Sequence, residues 1–292
     1  MTPKSTSAPT WRRAMSAPDL LRKARELHRL AVDASCAGRQ REALSLAQRG
    51  LDLLDSQPAA PEYEIEWLVV RIRLSCSHAG LISEANGLAE GLAGLEAVRG
   101  LIKAIPDELT RAELSDAVDH NCGVLLMGAG RNEESIAYFD SSLGHQELLL
   151  ANAKDPAPAV ESFLKTLSTR GLAFTRLGLV GRARQDLVHA RNLATEHGLV
   201  ASSADADHAL GNLEVRVGDV PAALKHYEHG DRSYRMLGQD VPALLRLDQA
   251  QALLTAGLAD EAGEHLDEVL PELRERDDVR QLGYAELFRA AD

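Results

Sequence analysis

The chain is predicted to be an all-α, right-handed superhelical solenoid of antiparallel helical hairpins, with about six repeats and a partial C-terminal unit. Three observations predict this. Ala, Gly and Ser supply 84 of the 292 residues while Phe, Trp and Tyr make up 4%, so a core must form by small residues letting backbones approach, as in stacked hairpins. No sustained run alternates β-branched and polar residues in the period of two that strands require. Six glycines separate helix-patterned runs: Gly38, Gly80, Gly130, Gly178, Gly218 and Gly257.

Each turn carries the same frame. Five residues after the glycine stands a small residue suited to a helix crossing: Ala43, Ala85, Ser135, Ala183, Ala223 and Ala262. Seven residues before it stand Ala31, Arg73, Gly123, Gly171, Gly211 and Ala250, with Arg73 as the exception. Nine residues after it come Phe139, Leu187, Tyr227 and Leu266 in the last four units, and Ala47 and Ala89 in the first two. Glycine is needed at such a reversal because the left-handed backbone that ends one helix costs it nothing sterically. The helices that follow open with acidic residues, as in Glu133-Glu134 and Asp260-Glu261, which suits the positive end of the helix dipole. Successive glycines are 42, 50, 48, 40 and 39 residues apart. The longer gaps hold irregular stretches at 56–61, 105–108 and 153–158, where proline interrupts the helices.

At the ends, residues 1–17 read as a disordered arm, with Asp19 just inside the first helix, and residues 18–292 as one helical repeat domain. The helix bearing Leu282, Tyr284 and Phe288 has no second helix after it, which predicts a domain truncated at its C-terminal end and an apolar face left exposed there. Twelve to fourteen helices are expected in all.

Small residue, turn, alanine, then a bulky residue four later, as in Gly211, Gly218, Ala223 and Tyr227, resembles the tetratricopeptide repeat over about residues 24–285. That resemblance implies a concave groove that binds a protein or peptide. More narrowly, Leu210 to Leu224, then Tyr234 to Gly238 and Val241 to Asp248, resemble actinobacterial repeat proteins that carry a C-terminal CHAT domain. This implies the sensor or adaptor part of a system built on a caspase-like peptidase. The alternative is a repeat module of a transcriptional or signalling regulator.

Net charge and motifs narrow the function class. At −12, the chain lacks the surplus of Lys and Arg that phosphate binding demands, so no nucleic-acid partner is expected. The charge is uneven: residues 1–60 hold 10 basic and 6 acidic residues, and residues 261–292 hold 4 and 10. Cys36, Cys76 and Cys122 are an odd number without CxxC spacing, so neither a disulfide framework nor a zinc site is implied, and a reducing cytoplasm fits. No apolar signal core or membrane span is visible, so no membrane partner is expected. His226 and His229 are three apart on one helix without a third ligand, and read as a solvated face rather than a metal site. Gly87, Gly91, Gly94 and Gly100 lack the Gly-Lys-Ser/Thr ending of a phosphate loop and read as close helix packing. No nucleophile and base stand in a recognisable arrangement, so the expectation is no enzyme, no cofactor and no metal. All three cysteines are expected to fill core positions on first helices.

The expected binding surface lies on the first helices of the fourth and fifth units, where Lys165, Arg176, His208, Asn212 and Arg216 are the candidate partner-binding residues. In tetratricopeptide proteins that grip carboxylates, Asn and Lys or Arg occupy such sites. Asn212 matches, and His208 stands where the Lys is expected. An acidic segment or a downstream peptidase domain is the expected partner.

Overall fold

The computed structural model describes residues 15–275 and 279–289, and among them there are thirteen α-helices and no strand. They pair into six hairpins: α1 (Ala17–Cys36) with α2 (Gln40–Asp55), α3 (Glu64–Asn86) with α4 (Leu88–Ile102), α5 (Glu108–Gly128) with α6 (Asn132–Asn152), α7 (Ala157–Arg176) with α8 (Val180–Glu196), α9 (Val200–Val217) with α10 (Val220–Met236), and α11 (Ala243–Thr255) with α12 (Ala259–Glu275). A thirteenth helix, α13 (Val279–Arg289), follows. The three proline-bearing stretches are the breaks between the first four hairpins, with a short 3-10 turn at Pro61–Tyr63. The chain divides into two compact units, Met1–Leu114 and Ser115–Asp292.

Five of the six expected turn glycines close their hairpins with positive φ: Gly38, Gly130, Gly178, Gly218 and Gly257. The hydrogen bonding shows why. At Gly178 the next amide, Leu179, donates to the carbonyl of Phe174 (2.9 Å), five residues back. That bond satisfies an orphan carbonyl of α7 and can form only when the intervening residue is left-handed. The same bond recurs at Arg39 to Ala34, Arg131 to Leu126, Asp219 to Glu214 and Leu258 to Leu253. It also recurs at Leu199 to Ala194 and Gln239 to Tyr234, so Gly198 and Gly238 end the second helices of the fourth and fifth hairpins in the same way.

Gly80 is the correction. It lies inside α3, and the turn is at Gly87, with φ of 110°. Leu81 and Ile82 continue the packing face past Gly80, and nothing ends the helix before Asn86-Gly87. The frame drawn from Gly80 fails with it: Ala85 and Ala89 are exposed, and Arg73 pairs with Glu113 at 2.5 Å. Contact between α3 and α4 is made at Gly94, where a methyl group would come within 3.3 Å of the Ala79 Cβ.

In the other hairpins the frame packs as expected. Ala43, Ser135, Ala183, Ala223 and Ala262 are all fully buried. Gly123, Gly171 and Gly211 are hollows filled by Phe139, Leu187 and Tyr227 from the returning helix. A Cβ at Gly123 would stand 2.5 Å from the Phe139 ring and one at Gly171 would stand 2.8 Å from Leu187, while one at Gly211 would collide with Tyr227. Ala31 and Ala47 repeat this pairing with two small residues in the first hairpin, both fully buried.

Of the residues expected to form an arm, 1–14 lie outside the described residues. Ser16 caps α1, its Oγ accepting from the Asp19 amide (3.3 Å), and Ala17 is already helical. At the other end, Leu282 and Phe288 pack partly buried against the α11/α12 core, which includes Leu266, Val269 and Leu270; they do not form an exposed face. The side chain of Tyr284 lies outside the described residues. Leu287 is the exposed apolar residue of α13. Cys76 and Cys122 are buried, whereas Cys36, on the last turn of α1, is exposed and fills no core.

Candidate functional site

The first helices of the last three hairpins, α7, α9 and α11, lie side by side in the second unit, α9 touching both of the others. Their hairpin partners cover one face through the small-residue frame, which leaves the side chains one, four and five places after Gly171, Gly211 and Ala250 to look elsewhere. From α7 these are Leu172, Thr175 and Arg176; from α9, Asn212, Val215 and Arg216; from α11, Gln251. Together with Asp248 and the ring of Tyr227 they line a cavity of about 310 Å³.

Its apolar lining comes from Leu172, Val215 and the ring of Tyr227, and four polar groups in and behind it are linked in a chain. The Tyr227 hydroxyl donates to Asn212 Oδ1 (2.5 Å), Asn212 Nδ2 lies 3.5 Å from His208 Nε2, and that nitrogen is 2.7 Å from Asp248 Oδ2. The His208 ring also meets Tyr227 edge-on, centroids 5.9 Å apart. Burial, and then the charge of Asp248, push the Tyr227 hydroxyl well above its ordinary pKa, so it stays protonated and remains the donor to Asn212. Arg176 Nη1 donates to the Met127 carbonyl in the last turn of α5 (3.0 Å). Arg216 has no hydrogen-bond or ion-pair partner among the described residues and is exposed.

Three of the five candidate residues therefore share one cavity: Arg176, Asn212 and Arg216. His208 stands behind it, held between Asp248 and Asn212. Lys165 does not line it; it is exposed on α7, near His120. Six lining residues were not among the candidates: Leu172, Thr175, Val215, Tyr227, Asp248 and Gln251. Gln251 occupies in α11 the place that Asn212 occupies in α9, so carrying the frame one hairpin further would have found it. Asp248, three residues before Gln251, has no counterpart in the carboxylate-gripping pattern and gave no such signal.

Two other polar clusters lie in this unit. Asp207 of α9 is almost fully buried. One carboxylate oxygen meets His226 Nδ1 (3.0 Å), the other meets His229 Nδ1, and Arg191 of α8 stands 3.6 Å away. The histidine pair read as a solvated face is thus tied to an interior carboxylate that joins α8, α9 and α10. Asp116 of α5 accepts from Ser142 (2.5 Å) and Gln146 (2.9 Å) of α6, and Gln146 also bonds Ser162 and Thr166 of α7, at 3.0 Å each. Burial pushes the Asp116 carboxyl up. Among the described residues no group of three or more His, Cys, Asp or Glu is placed to hold a metal ion, and no helix is long and apolar enough to cross a membrane.

No family model matches the sequence, and no curated protein is recognisably similar to it. Solved structures are similar in fold. A Rap protein complexed with the competence and sporulation factor superposes with a TM-score of 0.62 at 12% identity, over 92% of this chain and 80% of that one. The Rap conjugation gene regulator of plasmid pLS20, in complex with the Phr* peptide, gives 0.60 at 13%, over 94% and 80%. A kinesin light chain of Podospora anserina with nearly identical TPR-like repeats gives 0.55 at 17%, over 77% and 99%. The shared property is the TPR-like helical repeat fold. At these identities the likeness reaches the fold and stops there.

Proposed function

We propose that this chain is a non-enzymatic interaction scaffold that holds a peptide or protein segment in the groove of α7, α9 and α11. The observation that carries this reading is the cavity itself, in which Arg216, unpaired among the described residues, stands with Arg176, Asn212 and Gln251 beside the apolar groups of Leu172, Val215 and Tyr227. Hydrogen-bond donors around an apolar base are what an extended segment needs, because its carbonyls and carboxylates require partners once desolvated. Two structurally similar proteins are found in complexes, one with the competence and sporulation factor and one with the Phr* peptide, which is consistent with this use of the fold. The effector served by the groove is, on the sequence resemblance, a CHAT-type peptidase. The similarity to a conjugation gene regulator favours a second reading, a module of a signalling or transcriptional regulator; it keeps the same groove.

The test is panning of random heptapeptides displayed on phage against the full chain, then titration of selected peptides by fluorescence anisotropy. Arg176→Glu/Arg216→Glu should weaken binding by about tenfold or more, since charge-assisted hydrogen bonds become repulsions, and should flatten its salt dependence. Arg216→Glu alone breaks no side-chain hydrogen bond or ion pair among the described residues; it replaces the cation in the last turn of α9 at a cost of about 1 kcal/mol or less, so it should weaken binding with only a small shift of the melting curve. Equal binding by wild type and both folded variants would place the segment elsewhere.

A further inference from the structure

The cavity is not uniformly positive. Arg176 and Arg216 come from α7 and α9, and Asp248 comes from α11. Opposite charges lining one cavity would be expected to pair across it, yet they do not: Arg176 is turned to the Met127 carbonyl, and among the described residues Arg216 has no hydrogen-bond or ion-pair partner and Asp248 bonds only His208, through Oδ2. Asp248 keeps about 29% of its side chain open to solvent, so its second oxygen is free to take a donor. Among the described residues no other lining group bonds it: the Tyr227 hydroxyl is committed to Asn212, and Gln251, Arg176 and Arg216, which share the cavity, make no hydrogen bond or ion pair with it. The other fixed cations of α11 and α12 do not relieve it either: Arg246 faces Glu268 and Arg274 pairs with Glu286.

We infer that Asp248 is a specificity determinant of this groove, and that the segment bound there carries a cationic group for Asp248 as well as an anionic group for Arg176 and Arg216. This rests on the reading of the groove as a peptide site and deepens it. The chemistry is that of charge complementarity. An arginine pair alone would accept any acidic segment, whereas a carboxylate on the neighbouring helix repels a purely acidic one and attracts an ammonium or guanidinium. Packed helices lie roughly 8–10 Å apart and an extended chain advances about 3.3 Å per residue. The acidic and the basic group should therefore stand about two to four positions apart in the bound segment, the acid over α7 and α9 and the base toward α11. A Lys or Arg side chain and a free N-terminal ammonium both supply the required cation.

The peptides selected by wild type are sequenced, and each chosen one is synthesised in four forms: native, with its basic residue replaced by norleucine, with its acidic residue replaced by Gln, and with its N-terminus acetylated. Each is titrated against wild type and Asp248→Asn. Asn preserves the shape and an oxygen for His208, and a melting curve verifies the fold. We expect selected sequences that combine acid and base, and a loss of about tenfold on removing the cation, shrinking to about threefold or less in Asp248→Asn. A loss on acetylation assigns the cation to the chain end, and a loss on norleucine replacement assigns it to the side chain. Either supports the inference. Selected sequences that are acidic only, or a cation whose removal costs the same in wild type and Asp248→Asn, would overturn the role of Asp248 and leave the arginine groove standing. Peptides indifferent to Arg176→Glu/Arg216→Glu would overturn the groove and this inference with it.

Discussion

Gly211 and Tyr227 occupy one another's space, and the pair shows how narrow the tolerances are at single positions. A methyl group on Gly211 would collide with the ring, and overpacking of this kind costs about 1–3 kcal/mol. His120 is a residue whose burial has a measurable consequence. It is neutral in the fold, with its pKa depressed to about 4 by burial and then by the charge of Lys165, and Nδ1 lies 3.0 Å from Thr166 Oγ1. In the unfolded chain an imidazole titrates near 6.5, so between these values the unfolded state binds more protons. Its contribution is complete above about pH 6.5 and is lost as pH falls toward 4, on the order of 3 kcal/mol in all. His28, His78 and His265 are depressed by burial too, in the same direction. Urea midpoints measured from pH 7.5 down to 5 should fall, and should fall less in His120→Gln; parallel curves would show that His120 is not the group responsible.

Among the elements, the turns were the most legible part of the sequence, because a glycine in a left-handed cap leaves few alternatives once small residues recur at fixed distances on both sides. The reading failed at Gly80, where the same spacing arose by accident in an Ala-rich stretch and the uninterrupted apolar run Leu81-Ile82 carried α3 on to Gly87. It also missed Gly198 and Gly238, which end second helices rather than hairpin turns and so fall outside the frame. Arg176, Asn212 and Arg216 could be placed from the first-helix register. Asp248 could not, because its role depends on which neighbouring helix shares the cavity. Ala223, fully buried against Tyr227 and Ala252, tests the frame itself. Ala223→Arg forces a charge between α10 and α11 at a cost of several kcal/mol. Hydrogen exchange across residues 204–270 should accelerate while α1 and α2 keep wild-type protection, as nearest-neighbour stabilisation requires. Unchanged exchange across 204–270 would contradict the register.

The molecule consists of helical hairpins in two compact units, Met1–Leu114 and Ser115–Asp292. Its net charge is −12, and against that background the two arginines of the groove are a local exception. Local and long-range electrostatics then act at different moments of binding. A strongly acidic peptide is attracted once seated, but during approach it meets the field of the entire chain, which repels it. A peptide with balanced charges meets no such barrier. Stopped-flow association should therefore quicken with added salt for an acidic peptide and stay nearly flat for a balanced one; identical salt profiles would show that the approach is blind to the net charge. The excess of carboxylates thus acts as a kinetic filter, sorting ligands by how fast they arrive before the groove sorts them by how well they fit.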